Sequence, residues 1–212
     1  FMTEMSARPP FRRRLYPEVR AMFTQLCPYM CFPLRLVFAN LWGFSPLLLK
    51  LMPRLNPQAG AMVGTLCAFN SVEGSAKAHA CSAEAFLRCV REEDLKADLA
   101  AFEAAAGRYG VTVERGGEYE YHAPADLSSP ALAYVKECAA AVFPQCACAP
   151  FLLPAGTDAR HFSALCSSVL RFAPIDLTPD QFASVHGRNE NLDVKALADA
   201  VVFYKYLLAH LM

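Results

Sequence analysis

No CxxC pair occurs anywhere in the 212 residues, which excludes the spacing used by structural zinc sites and redox dithiols. The nine cysteines, at 27, 31, 67, 81, 89, 138, 146, 148 and 166, are odd in number and scattered. They read as reduced core residues of a cytosolic protein. Net charge is missing too. Twenty basic residues cancel twenty acidic ones, and no Lys/Arg stripe interleaves with aromatics, so no nucleic acid and no anionic membrane surface is expected as partner. A small ligand is. The basic start, "FMTEMSARPPFRRRL", lacks the apolar core of a signal peptide, and the expected location is cytoplasmic. A clean membrane span is also lacking. The stretch "PLRLVFANLWGFSPLLLKLM" from Pro33 is interrupted by Arg35, Asn40, Pro46 and Lys50, and an Arg or Lys at bilayer depth costs about 2.5–3.5 kcal/mol. Buried or groove-lining helices are the expectation there. No internal repeat is present.

What is present is apolar bulk: 55% of the chain is hydrophobic, enough for a substantial core in one large domain or two small ones. From Tyr16 to Met52 apolar residues dominate, with Pro28, Pro33 and Pro46 as breaks, which predicts two or three helices side by side. "NPQAG" reads as a turn. Residues 61–73 and 80–91 have strand length and a Gly-Ser connection, and predict an antiparallel pair. In "EEDLKADLAAFEAAAGRYG", Leu95, Leu99, Phe102, Ala106 and Tyr109 share a helical face and Gly110 stands where a C′ glycine belongs. "VTVERGGEYEY" then alternates as a strand. "HAPADLSSP" reads as a linker, with a domain boundary near 122. Beyond it, "PALAYVKECAAAVFP" reads as helix, "CACAPFLLPAG" as buried strand, "DARHFSALC" as helix, "SVLRFAPI" as strand and 192–211 as a last helix. This alternation predicts part of a parallel, helix-covered sheet. Val194, Leu197, Val201, Tyr204, Leu208 and Leu211 form the stripe with which that helix would bury itself.

Two stretches carry chemistry. "LLPAGTDARHF" places a Gly-Thr-Asp turn before a short helix, so that Asp158 can cap it while Arg160 faces the sheet edge; a planar guanidinium fork there suits a carboxylate. The competing reading is a capped helix with a solvated Arg. "SVHGRNE" places His186 on a loop before a glycine, where imidazole can ligate zinc, although one histidine makes no site and a hydrogen-bonded loop histidine fits as well. His161 reads as packed or solvated, and His122 and His210 offer no constellation. Glu92 and Glu93 offset a helix dipole and have no catalytic role.

"MCFPLRLVFANLWGFSPLL", "GTDARHF…VLRFAPIDLTPD" and "VHGRNENLDVKALADAVVFYKYLL" together resemble the second half of a metallopeptidase of family 20. This is the clan of aminoacylase, carboxypeptidase S and succinyl-diaminopimelate desuccinylase, and the likeness is to its carboxypeptidase S-like branch. Gly-Thr-Asp-x-Arg, Arg-Phe-x-Pro and His-Gly-x-Asn-Glu stand in the family's order and spacing. The resemblance implies an α/β fold with two parts. Residues 1–121 would be part of an α+β lid, or dimerisation, domain with an antiparallel sheet, and 122–212 the C-terminal portion of a catalytic domain built on a mostly parallel, helix-covered sheet. It implies a zinc-dependent hydrolase, with two ions in the complete enzyme, that cleaves an amide or peptide bond next to a free carboxylate in a small peptide or N-acyl amino acid. Arg160, with Thr157 and Gly156, would grip that carboxylate, and His186 would be a metal ligand. The family's His-x-Asp pair, bridging Asp and Glu-Glu base belong upstream of the lid, and none is in these residues. The chain alone is therefore expected to be inactive, to bind zinc weakly, and to pair with itself or with a complementary catalytic half. The alternative is a non-catalytic carboxylate-binding or dimerisation module. The family's lid motif departs here: His79 stands where an Asn belongs and Ser82 where a Pro does, which leaves Arg88 and Arg91 without an assigned role. A lipid- or acyl-facing role for Pro33 to Met52 is the weaker reading beside their filling the lid core.

Overall fold

The computed structural model describes residues 1–55, 57–75, 77, 80–116, 121, 123–153, 156–166 and 168–211. The chain divides into two compact units, Phe1–Ala123 with Pro150–Ala155, and Pro124–Ala149 with Gly156–Met212.

The first unit runs α1 (Met2–Ala7), α2 (Pro17–Leu26), a 3₁₀ turn (Cys27–Tyr29), α3 (Phe32–Ala39), α4 (Leu41–Leu55), α5 (Pro57–Ala61), β1 (Leu66–Ser75), β2 (Ala80–Arg88) and α6 (Glu92–Gly107). Pro28 lies in the 3₁₀ turn and Pro33 in the first turn of α3, where a missing N–H leaves no bond unmade. Pro46 does not break the chain as expected: it lies inside α4, as does Pro53. The carbonyl that Pro46 leaves unbonded, four residues back, belongs to exposed Trp42, where water can take it. The break falls at Asn40, whose side chain donates to the Leu36 carbonyl at 2.8 Å and stops α3. α3 and α4 meet there at a bend of 107°. Residues 57–61 form α5 and not the expected turn. No single helix among the described residues is long and apolar enough to cross a membrane.

β1 and β2 form the expected antiparallel pair. Cys67 faces Leu87 and Phe69 faces Ala85 across it, and this face packs against a cluster of Met5, Phe11, Phe102 and Ala105. α6 and α1 thus cover one end of the hairpin. Past Phe69 the register shifts by one residue, as at a bulge, and the rest of the hairpin is exposed. α6 presents Phe102 and Ala106 inward as its periodicity requires, and Leu95 and Leu99 are half-buried, but Tyr109 is exposed. Of the third expected strand, 111–116 are not strand and 117–120 lie outside the described residues.

The second unit contains α7 (Pro130–Val142), a 3₁₀ turn (Asp158–Phe162), α8 (Pro179–Ser184) and α9 (Val194–Ala209). α7 begins at Ser129, whose side chain accepts from the Ala131 N–H at 3.2 Å. α7 and α9 pack through Cys138, Ala139 and Phe203, with Tyr134, Val135, Tyr206 and Leu207 around them. The expected parallel sheet is not formed: among the described residues the one sheet is the β1–β2 pair, and 146–153 and 168–175 are irregular. A strand exists only where a neighbour takes its N–H and C=O groups. Phe172, from the second segment, sets its ring against Phe203 of α9, centroids 5.1 Å apart. The buried face of α9 also differs from the expected one. Ala196, Ala200 and Phe203 are buried, whereas Val194, Leu197, Val201, Tyr204, Leu208 and Leu211 are 46% to 83% exposed.

Candidate functional site

The Gly-Thr-Asp-x-Arg segment folds as a short 3₁₀ turn that begins one residue earlier than a cap at Asp158 requires. Thr157 is its N-cap, Asp158 its first residue, and no side chain makes a capping bond; Asp158 therefore does not cap. The Arg160 N–H reaches the Thr157 carbonyl at 3.2 Å, the three-residue step of a 3₁₀ turn. Arg160 is exposed. Its Nε donates to Nε2 of His161 at 3.3 Å, which holds the plane of the guanidinium and leaves both Nη groups for a ligand. His161 is thus solvated, and it also orients Arg160.

Arg171, which the sequence reading left without a role, joins this turn. Its Nε donates to Oγ1 of Thr157 at 3.2 Å. The next residue, Phe172, is packed on Phe203, and Pro174 is buried, so α9 fixes the segment from which Arg171 reaches. A hydroxyl that accepts from an arginine keeps its own proton to donate, and Arg171 is thereby tied to the turn that carries Arg160. The signal was legible: Arg171 opens the Arg-Phe-x-Pro motif.

His186 lies in the loop between α8 and α9, at a φ of 62°, with Asn189 at 59°. Side chains with a Cβ seldom adopt this left-handed region, and His and Asn do so more readily than most. Several bonds hold the loop in this shape. The His186 N–H donates to Oε2 of Glu190 at 3.1 Å, and the Gly187 N–H reaches the Ser184 carbonyl at 2.7 Å. Buried Gln181 closes a capping box with Thr178 and offers Nε2 to Asn191 and Asp193, each at 3.4 Å. The bond from the His186 N–H is therefore what gives the motif's glutamate, Glu190, its place. The His186 ring is exposed, with no hydrogen-bond partner among the described residues. It fits a single metal ligand: both ring nitrogens are available, and the backbone behind them is pinned.

Arg160 and His186 belong to the same unit, but the sheet rim that was to unite them is not formed among the described residues. Among the described residues no group of three or more His, Cys, Asp or Glu side chains gathers as a cation site. His79 and His122 lie outside the described residues. His210 stacks on Tyr206 at the end of α9, centroids 4.0 Å apart. Glu93 and Asp94 take Arg14 as an ion-pair partner. Arg91 pairs with Glu18 at 2.5 Å, and Arg88 lies over the ring of Phe86; both are structural contacts within the first unit.

The sequence is similar to several known proteins. The chain is 29% identical over 179 residues to the N-fatty-acyl-amino acid synthase/hydrolase of Mus musculus, covering 81% of this chain and 35% of that protein. To the Bos taurus protein of the same description it is 31% identical over 188 residues, 84% of this chain and 37% of the relative. A probable carboxypeptidase S-like protein of Dictyostelium discoideum is 24% identical over 196 residues, 90% of this chain and 38% of the relative. The chain thus spans little more than a third of the length of these relatives. No family model matches it, and no solved structure does. Through these relatives, as through its three motifs, the chain is a homologue of part of a metallopeptidase of family 20, on its carboxypeptidase S-like side.

Proposed function

We propose that this chain contributes the carboxylate grip and one metal ligand of a hydrolase that cleaves an amide bond next to a free carboxylate, in an N-acyl amino acid or at the end of a peptide. The observation that carries the reading is the match, over more than four fifths of the chain, to proteins described as N-fatty-acyl-amino acid synthase/hydrolases. The 3₁₀ turn adds local support. Arg160 offers its two Nη groups to both oxygens of the carboxylate, and Thr157, with its Oγ1 already accepting from Arg171, donates its hydroxyl proton to one of them. Gly156, lacking a Cβ, lets the carboxylate approach the backbone of the turn. His186 would serve as a ligand from a loop shaped by its N–H bond to Glu190 and the Gly187 bond to the Ser184 carbonyl. Zinc, bound by His186 together with ligands from a complementary half, would supply Lewis-acid polarisation and a water of lowered pKa.

Residues 1–121 serve in this reading as the lid and 122–212 as the returning part of the catalytic domain. A second reading, a non-catalytic module that associates with another chain, is favoured by one observation: the exposed apolar stripe of α9. Turnover decides between them. The chain is mixed with a complementary half that carries the family's His-x-Asp, bridging Asp and Glu-Glu, and N-oleoyl-phenylalanine is the substrate. Hydrolysis that requires both parts and is lost in His186→Ala supports the hydrolase; association without turnover supports the module.

A further inference from the structure

Between Glu18 and Glu73 the chain has no acidic residue, while Arg20, Arg35, Lys50 and Arg54 fall within that stretch. The same stretch builds α2, α3 and α4, and the 107° bend between the last two leaves a groove of about 630 Å³ lined by Arg20, Thr24, Arg35, Phe38, Ala39 and Trp42 among others. That is the size of a small-molecule site. Its wall is mostly apolar, and Trp42, the chain's one tryptophan, is 84% exposed on it. Arg35 is held by donating to the Pro28 carbonyl and keeps further donors of its five. Arg20 has no carboxylate partner among the described residues.

An open, mostly apolar groove lined by two arginines and by no acidic residue is complementary to an amphiphile with a long apolar tail and an anionic head. We propose that the groove between α2, α3 and α4 binds a long-chain carboxylate, its tail along Phe38, Ala39 and Trp42 and its head on Arg20 and Arg35. A bent, concave wall suits one chain and not a bilayer, against which an amphipathic helix lies flat. The inference deepens the functional reading, because an N-fatty-acyl amino acid and the fatty acid released from it are both long-chain carboxylates, and it rests on that reading for the choice of ligand.

The test is binding to the whole chain, read by Trp42 fluorescence as oleate is added below its micelle concentration. A saturable blue shift is expected. Oleyl alcohol should bind about tenfold more weakly, since it lacks the charge-assisted hydrogen bonds. Arg20→Gln should weaken oleate similarly, and Ala39→Phe, which fills the groove, should abolish the shift with the helical circular dichroism unchanged. No saturable shift, equal affinity for oleate and oleyl alcohol, or a response to anionic phospholipid vesicles but not to monomeric oleate overturns the proposal. The alcohol comparison uses the unaltered chain and so does not depend on any variant folding. Because the readout needs no turnover, failure here leaves the hydrolase reading standing, and failure of turnover leaves the groove standing.

Discussion

His186 and Asn189 sit at positive φ three residues apart, and between them an added Cβ on Gly187 would come within 3.0 Å of the Ser184 carbonyl oxygen. The loop is therefore specified residue by residue. His186→Val, with a branched Cβ in a left-handed conformation, should cost about 1–2 kcal/mol, whereas His186→Asn should cost little; urea midpoints compare them directly. Gly187→Ala should destabilise as well, since the atom it meets is backbone. A second residue-level consequence concerns Asp98, which is buried on α6 and accepts from the Thr65 hydroxyl. Burial raises its pKa above the ordinary aspartate value, even though the bond from Thr65 works the other way. A carboxyl whose folded pKa is raised stabilises the fold most below its unfolded pKa, and that contribution falls as pH rises through the folded one. Relative to Asp98→Asn, the unaltered chain should lose stability as pH rises above about 4, measurable as a pH-dependent difference in urea midpoint. Which residues this loop and this burial use was partly legible: His186 stands out before a glycine, but Asp98 falls on the face of α6 that its leucines share, where a polar residue gives no sign of its partner in a distant turn.

At the scale of elements, the end of α6 shows what local sequence can settle. The Val111 N–H reaches the Ala106 carbonyl and the Gly110 N–H the Gly107 carbonyl, both at 3.1 Å, with Gly110 at a φ of 67°. This is the bond pair of a Schellman stop, which needs a residue without a Cβ at that position. Gly110→Ala should cost about 1–2 kcal/mol in urea unfolding. The hairpin and helices α6, α7 and α9 were legible for the same reason: periodicity, caps and a glycine act within a few residues. The segments 146–153 and 168–175 were misread because an apolar run of strand length states only that it is to be buried. Phe172 sets its ring against Phe203 while staying 43% exposed, without a ladder. α9 was misread because it is apolar on two sides. The small residues Ala196 and Ala200 are buried on the face of Phe203, which packs on Cys138 and Ala139 of α7, while the larger side chains that drew attention are on the other.

At the scale of the molecule, that second face of α9 is a contiguous apolar surface, and surfaces of this kind drive association. The chain is expected to be larger than a monomer by light scattering at micromolar concentration, and Val201→Lys with Leu208→Lys should lower its size without lowering helicity, since both side chains are exposed. A monomer that binds no hydrophobic dye would contradict this. The proposed carboxylate grip is built on Arg160, which the sequence singled out, with His161 bonded to it and Arg171 bonded to Thr157 in the fold. Its most direct test is selectivity, in the enzyme assembled from this chain and its complementary half. The quantity is the ratio of kcat/KM for N-oleoyl-phenylalanine to that for its methyl ester, with and without Arg160→Gln. The account predicts that the substitution lowers this ratio about a hundredfold, as loss of a charged, two-point hydrogen bond would, and leaves turnover of the ester nearly unchanged. A ratio that does not move, or an equal fall for acid and ester, would contradict it.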